Sequence, residues 1–132
     1  MNTIIEFHDS KFTEISKRDS TVIVHFLPVG LHKSEGRLGI DSGTYWLQEA
    51  QLIFSDASVS GDFPDQPYDV MDGELVIGDK RYGHDIPVPL DVSGPAELRL
   101  KLDNIHTVTV TGRGVRLELL GEARYLQDFP WV

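Results

Sequence analysis

The stretch that decides the fold runs from residue 97 to residue 125 and reads ELRLKLDNIHTVTVTGRGVRLELLGEARY. Apolar side chains alternate with polar ones in three runs, at residues 97–103, 107–111 and 115–119. Alternation with a period of two places one face of a β-strand in the core and the other in water. Short corners at Asn104 and at Gly112-Arg113-Gly114 separate the runs, so we predict an antiparallel meander with a hairpin at the second corner.

Further strands are predicted on the amino-terminal side of this stretch. Residues 21–27 are apolar on both faces, which favours a strand in the middle of a sheet. Strands are also predicted at residues 3–8, 11–17 and 45–54, and a short hairpin around Gly78-Asp79. Residues 86–90 alternate proline with aliphatic side chains and indicate an edge strand or an extended crossing segment. Residues 28–43 show no period, so we predict an irregular loop there, and a turn at residues 93–95.

Many short strands, with turns between them and no long helix signal, predict an all-β fold. We expect one domain over residues 1–132, an antiparallel sandwich or partly open barrel of jelly-roll-like form with little or no helix. Phe129 and Trp131 near the end of the chain are expected to pack against the domain. The predicted core contains Val22, Val24, Phe26, Trp46, Leu52, Phe54, Leu98, Leu100, Leu102, Val108, Val110, Val115, Leu117 and Leu119.

The composition narrows the classes of partner. The 132 residues include 21 acidic and 12 basic side chains, for a formal net charge of -9. Nucleic acids and anionic membranes bind clustered Lys and Arg, so we expect neither as a partner; a protein with a basic surface fits better. No Cys is present, which excludes disulfides and thiolate metal sites and fits the cytoplasm. The first residues lack the pattern of a signal peptide, and no apolar run approaches the roughly 20 residues of a membrane span.

The histidines carry no metal-binding pattern. His8, His25, His32, His84 and His106 show none of the spacings HxH, HxxxH or HExxH. Only the fold could bring His8, His32 and His84 together as ligands, and solvated or core-edge histidines are the preferred interpretation. We therefore expect no metal and no cofactor.

One loop combines the side chains that a small-ligand pocket needs. Hydrogen-bonding, charged and aromatic groups occur together there, which favours binding, and loops on a rigid sheet often carry function. The simpler interpretation is a surface loop beside a core tryptophan. The candidate ligand-binding residues are His32, Ser34, Glu35, Arg37, Tyr45, Trp46 and Gln48.

A run of acidic residues between positions 56 and 79 contains no base. Such a run could steer a basic protein partner, although a merely solvated acidic face is the more common explanation. Its spacing does not match a calcium-binding EF-hand loop. The candidate partner-binding residues are Asp56, Asp62, Asp65, Asp69, Asp72, Glu74 and Asp79.

Two stretches resemble known families. The closing stretch GVRLELLGEARYLQDFP, residues 114–130, is similar to the end of small bacterial proteins of uncharacterised, β-rich type. The opening FHDSKFTEISKRDSTVIVHF, residues 7–26, resembles the openings of several small bacterial β-rich families, some of them proposed immunity proteins of contact-dependent toxin systems. The resemblance implies a bacterial source and a β-rich fold, and no catalytic residues.

No motif of known chemistry is present: no GxSxG elbow, no Walker sequence and no dinucleotide fingerprint. We favour a non-enzymatic binding domain with a protein partner. A small-molecule-binding barrel with the 32–48 loop at its mouth is the alternative, and a cupin-like metal enzyme the least favoured one. Edge strands often pair across a two-fold axis, which leaves a homodimer open.

Overall fold

The computed structural model describes residues 2–8, 10–37, 40–83 and 85–129. Eleven strands make up the fold: β1 (Asn2–Glu6), β2 (Lys11–Arg18), β3 (Thr21–Ser34), β4 (Gly43–Phe54), β5 (Ser58–Ser60), β6 (Tyr68–Asp69), β7 (Asp72–Ile77), β8 (Lys80–Tyr82), β9 (Ile86–Val88), β10 (Asp91–Lys101) and β11 (Thr107–Phe129). The prediction of an all-β fold is confirmed. The described residues form no helix, and so none that is long and apolar enough to cross a membrane.

All strands belong to one antiparallel sheet, which does not close into a barrel. Its order is β6-β2-β3-β4-β11-β10-β7-β8, with β1 beside β3, β9 beside β1 and β5 beside β11. Strand β3 lies between β2 and β4, as the apolar character of both its faces predicts. Strand β9 pairs only with β1, which confirms the prediction of an edge strand, and Gly78-Asp79 forms the two-residue turn between β7 and β8.

The predicted hairpin at Gly112-Arg113-Gly114 is wrong, because β11 runs straight through it. Residues 107–116 of β11 pair with β10, and residues 115–129 pair with β4. A Cβ on Gly112 would lie 2.8 Å from the carbonyl oxygen of Ser55, and one on Gly114 would lie 2.7 Å from the Ser55 hydroxyl. The glycines therefore admit a neighbouring segment and do not turn the chain.

The predicted loop at residues 28–43 is also largely wrong, because β3 continues to Ser34. The register with β4 shifts between Phe26 and Val29, so the strand carries a bulge there. Beyond it Leu31 is buried on one face and His32 on the other, which removes the alternation that signals a strand. The predicted turn at residues 93–95 is also wrong, because the chain continues there as β10. The residues form a bulge inside that strand, where Gly94 has a φ of 116°.

The core lies inside the curved sheet and contains most of the predicted residues. Trp46, Leu117 and Leu119 are exceptions, since they are only half-buried and pack at its margin. Phe7 and Phe12, which the sequence does not single out, are fully buried. The expected packing of Phe129 and Trp131 concerns side chains outside the described part of the chain. The predicted core residues that are buried are Val22, Val24, Phe26, Leu52, Phe54, Leu98, Leu100, Leu102, Val108, Val110 and Val115.

The segment from Tyr68 to Ile77 connects the two ends of the sheet. Its first part, β6, pairs with β2, and its second part, β7, pairs with β10. Between them the Met71 N–H donates to the carbonyl oxygen of Lys101 at 2.9 Å. The segment thus brings the start of β7 next to the 102–106 corner between β10 and β11.

Candidate functional site

The best-defined candidate site is the surface where the loop before β6 meets the corner between β10 and β11. We call it the acidic end and define it as residues 61–69, Met71, Asp72 and residues 102–106. The Thr107 N–H donates to the carbonyl oxygen of Asp62 at 2.9 Å, which attaches the loop to the first residue of β11. Phe63 of the same loop packs edge-on against Phe12, with ring centroids 6.3 Å apart. The loop is therefore held by the strands beneath it.

One carboxylate organises the corner. Asp103 Oδ1 accepts the N–H groups of Ile105 at 2.7 Å and His106 at 2.6 Å. Its Oδ2 accepts the Tyr68 hydroxyl, and the His106 Nδ1 lies 2.8 Å from the same oxygen. The pKa of Asp103 lies well below its usual range, mainly because the Tyr68 hydroxyl donates to the carboxylate and secondly because the amide and ring of His106 do. The hydrogen bond between Tyr68 and Asp103 also raises the pKa of Tyr68. The ionised carboxylate is therefore favoured, and its hydrogen bonds tie the corner to itself and to Tyr68 of β6.

Two large apolar side chains stand out from this surface. Ile105, at the tip of the corner, is 72% exposed, and Met71 is 49% exposed. Each is next to carboxylates: Asp103 precedes the corner, and Asp72 follows Met71 in the chain. An exposed apolar group among charged side chains is typical of an interaction surface.

The structure distributes the predicted acidic residues over several places. Asp62, Asp65, Asp69 and Asp72 belong to the acidic end, whereas Asp56 follows β4 and Asp79 lies in the β7–β8 turn. Glu74 lies further along β7, 3.5 Å from Arg81.

Lysines from other strands lie near acidic residues of positions 56–79, a stretch that itself contains no basic residue. Lys11 lies 3.8 Å from Asp69, and Lys101 is the β10 partner of Asp72. At the acidic end five carboxylates, those of Asp62, Asp65, Asp69, Asp72 and Asp103, still outnumber these two lysines. Partner binding by all seven predicted residues stays a prediction, and the geometry groups four of them.

The residues of the predicted small-ligand pocket do not converge on one depression. Among four of the best-defined surface depressions of the described residues, one groove of about 390 Å³ includes Gln48, and the other six candidate residues line none of the four. Ser34 and Arg37 instead make local contacts: the Ser34 hydroxyl donates to Ser42, and Arg37 bonds Asp41. Asp41 has a lowered pKa because of these bonds from Arg37.

The other members of that set lie on the strands. The rings of His32 and Tyr45 are 4.6 Å apart, and His32 Nε2 lies 3.1 Å from Glu6 Oε2. Trp46 donates to the Thr44 hydroxyl at 2.7 Å, and the Lys33 ammonium lies over its ring. Glu35 is exposed in the loop after β3. Most of these polar groups already have intramolecular contacts, so the small-molecule interpretation gains no support from the geometry.

The histidines are dispersed. Within the described ranges, no group of three or more His, Asp and Glu side chains could hold a metal ion. His84 lies outside the described residues, so a site that includes it with His8 and His32 is not tested.

One polar cluster has no signal in the sequence. On the outer face of the sheet the His25 ring bridges Thr13 Oγ1 at Nδ1 and Glu49 Oε2 at Nε2, the latter at 2.6 Å. A hydroxyl, an imidazole and a carboxylate in a row are the groups of a hydrolytic triad. Thr13 Oγ1 also donates to the His25 carbonyl oxygen at 2.9 Å, however, and neither Thr13 nor His25 lines any of the four depressions. The cluster therefore joins β2, β3 and β4, and only the strand register could have revealed it.

Comparison with known proteins finds no matching family model, no similar curated protein and no similar solved structure.

Proposed function

We propose that this protein is a non-enzymatic binding protein whose partner is a protein with a basic surface, and that the partner docks on the acidic end. The observation that carries the proposal is the pair of exposed apolar side chains, Ile105 and Met71, among carboxylates on a corner that Asp103 holds rigid. An apolar centre with a polar rim is the usual anatomy of a protein–protein interface, and methionine is enriched there.

Rigidity supports this surface as a docking site. Binding costs free energy when loops and side chains must be ordered, and a corner already fixed by hydrogen bonds avoids part of that cost. Ile105 is displayed by a corner in which Asp103 binds both backbone N–H groups that follow Asn104. The backbone that displays Ile105 is thus tied in place before the partner arrives.

Charge supports the basic character of the partner. The chain has a formal net charge of -9, and the acidic end has more carboxylates than lysines. Opposite charges on two proteins steer their encounter and raise the association rate, whereas the acidic end repels acidic competitors because like charges repel. The similarity of the opening FHDSKF to those of proposed immunity proteins agrees with this class, since such proteins bind a toxin partner.

A matched pair of substitutions tests the site. Ile105→Glu and Ile40→Glu each place a carboxylate at an exposed isoleucine, 72% exposed in the corner and 62% exposed in the loop before β4. Wild type and both variants, immobilised separately, are exposed to lysate of the producing cells, and any retained protein is purified and its affinity measured. We expect one basic protein, held by wild type and Ile40→Glu, and bound at least about tenfold more weakly by Ile105→Glu.

Two outcomes contradict the proposal. The first is that wild type retains no basic protein in a saturable way. The second is that the two variants bind the retained protein equally well, which would place the docking surface elsewhere on the molecule.

A further inference from the structure

We propose that the protein also forms a symmetric homodimer in which the second half of β11 pairs with its counterpart in another copy. The proposal is independent of the acidic end, which lies beyond the opposite end of β11. Residues 115–129 pair with β4 along one edge of the strand. On the other edge β10 reaches only Arg116, and Leu117 makes the last hydrogen bond, to the Leu90 carbonyl at 2.9 Å.

The open edge has side chains that remain accessible. Among the described residues, no strand pairs with residues 118–129 on that edge. Tyr125 is 49% exposed and Leu126 is 47% exposed, and Glu122 and Arg124 are exposed as well. Unpaired N–H and C=O groups on such an edge are a template for another strand.

The occupant is a second copy because the edge is complementary to itself. Residues 120–126 read LGEARYL, in which the side chains at equal distances from Ala123 are complementary: acid with base, glycine with an aromatic ring, and leucine with leucine. When two such segments run antiparallel with Ala123 on the two-fold axis, Glu122 of each copy faces Arg124 of the other. Opposite charges directly across two strands are favourable, and like charges are not.

The apolar positions agree with the same register. Leu120 then faces Leu126, and Gly121 faces Tyr125, in both halves of the pair. Leu120 pairs with Glu49 of β4, and Arg124 pairs with Leu47. Because Glu49 and Leu47 are two residues apart on one strand, they share a face, and so do Leu120 and Arg124. An aromatic ring opposite a strand glycine covers backbone that would otherwise be exposed. Gly121, at a φ of 69°, has nothing within 4 Å of an added Cβ and so leaves room for the ring.

The first bulge of β11 lies within this segment. The Gln48 side-chain amide donates there to the carbonyl oxygens of Leu120 at 3.5 Å and Gly121 at 2.9 Å, so pairing between copies uses the other backbone groups of the segment. The three residues Gly121–Ala123 lie opposite the single residue Gln48, so the strand leaves the bulge with its original face orientation. The second bulge is at Leu126, between Tyr125, which pairs with Trp46, and Gln127, which pairs with Tyr45. It lies at the end of the segment 120–126. The seven-residue segment is therefore the part of the edge that two copies share.

The test is the oligomeric state of charge-reversal variants of the full chain by analytical ultracentrifugation in the micromolar range. We expect wild type to sediment as a dimer. Glu122→Arg and Arg124→Glu each put like charges across the axis twice, and we expect each to weaken the dimer at least about tenfold. The double variant E122R/R124E restores opposite charges and should dimerise again.

Mixing the two single variants provides the sharpest measurement. Each is expected to be a monomer alone, and an equimolar mixture should form a heterodimer, which also shows that both are folded. Lys80→Glu, on the edge strand β8, is the control and should leave the dimer unchanged. A monomeric wild type, or a dimer that neither single variant weakens, overturns the proposal. So does a dimer that the single variants weaken but neither the mixture nor the double variant restores.

Discussion

The alternating runs at residues 107–111 and 115–119 belong to two halves of β11 that lie in different surroundings. Residues 107–116 have β10 on one edge, with β5 and the end of β4 on the other, and Val108 and Val110 are fully buried. Residues 117–129 pair with β4 and with no other strand of the described residues, and Leu117 and Leu119 are half-buried. Alternation thus reports which face of a strand is apolar, but not how many strands flank it.

The largest expected effect comes from placing the same charge in each half. Val110→Asp buries an unpaired carboxylate where the wild-type side chain has no exposure, and should cost more than about 4 kcal/mol or prevent folding. Leu126→Asp should change the free energy of unfolding by less than about 0.5 kcal/mol in the monomer. Urea unfolding at low protein concentration measures both. Equal losses would mean that the two halves are equally enclosed.

The next largest loss of stability is expected from replacing a glycine in each half. Gly112 is required by a close contact, and Gly121 by its backbone conformation. Gly112→Ala pushes a Cβ against the Ser55 carbonyl at 2.8 Å and should cost about 2 kcal/mol. Gly121→Ala meets no atom but must adopt a φ of 69°, at a cost of roughly 1 kcal/mol.

Asparagine distinguishes the two causes, because it tolerates positive φ but is larger than alanine. Gly121→Asn should be more stable than Gly121→Ala, whereas Gly112→Asn should be less stable than Gly112→Ala. Thermal unfolding of the four variants measures this. The same order at both positions would show that one cause acts in both halves.

A smaller effect is expected at the aromatic contact of the second half. The Tyr125 ring meets Trp46 edge-on, with centroids 5.4 Å apart. Tyr125→Leu removes this contact and should cost about 1 kcal/mol, while Tyr125→Phe keeps the ring and should cost less. Chemical unfolding measures the difference. Equal stability of the two variants would mean that the ring contact contributes nothing to the half-paired edge.

The smallest effect on the free energy of unfolding is expected at Asp103, in the corner before β11, and it should depend on pH. The folded-state pKa of Asp103 is below its unfolded value, so its contribution is complete above about pH 4 and is lost as the pH falls. Tyr68→Phe removes the largest cause of that shift. Wild type should therefore be the more stable at pH 7, and its advantage should shrink as the pH falls below about 4.

Unfolding midpoints from pH 7 to pH 2.5 test this, and Tyr82→Phe on β8 is the control. An advantage that stays constant with pH would show that the Tyr68 hydroxyl does not act through the Asp103 carboxylate.

Strands with one buried and one solvent-exposed face could be predicted from the sequence. The straight course of β11 through its glycines and the second half of β3 could not. Glycines at 112 and 114 suit a turn and a close approach equally, and only the position of Ser55 decides between them. The second half of β3 is buried on both faces, which removes the period.

The candidate site was predictable in part. Asp62 to Asp72 are close in sequence, so a local acidic surface could be expected. Ile105 and Asp103 join it through the pairing of β7 with β10, which no local pattern reports. The contact of His25 with Glu49 depends in the same way on strand register.

The position of β11 in the sheet has a consequence for how the chain reaches this structure. Strand β4 pairs on one side with β3, its neighbour along the chain, and on the other with β11, from which six strands separate it in the sequence. Such non-local pairing is entropically slow to form, and sheets dominated by it fold in milliseconds to seconds. Until β11 has been synthesised, the edge of β4 that pairs with it has no partner, and a nascent chain at that stage is exposed to mispairing and to chaperones.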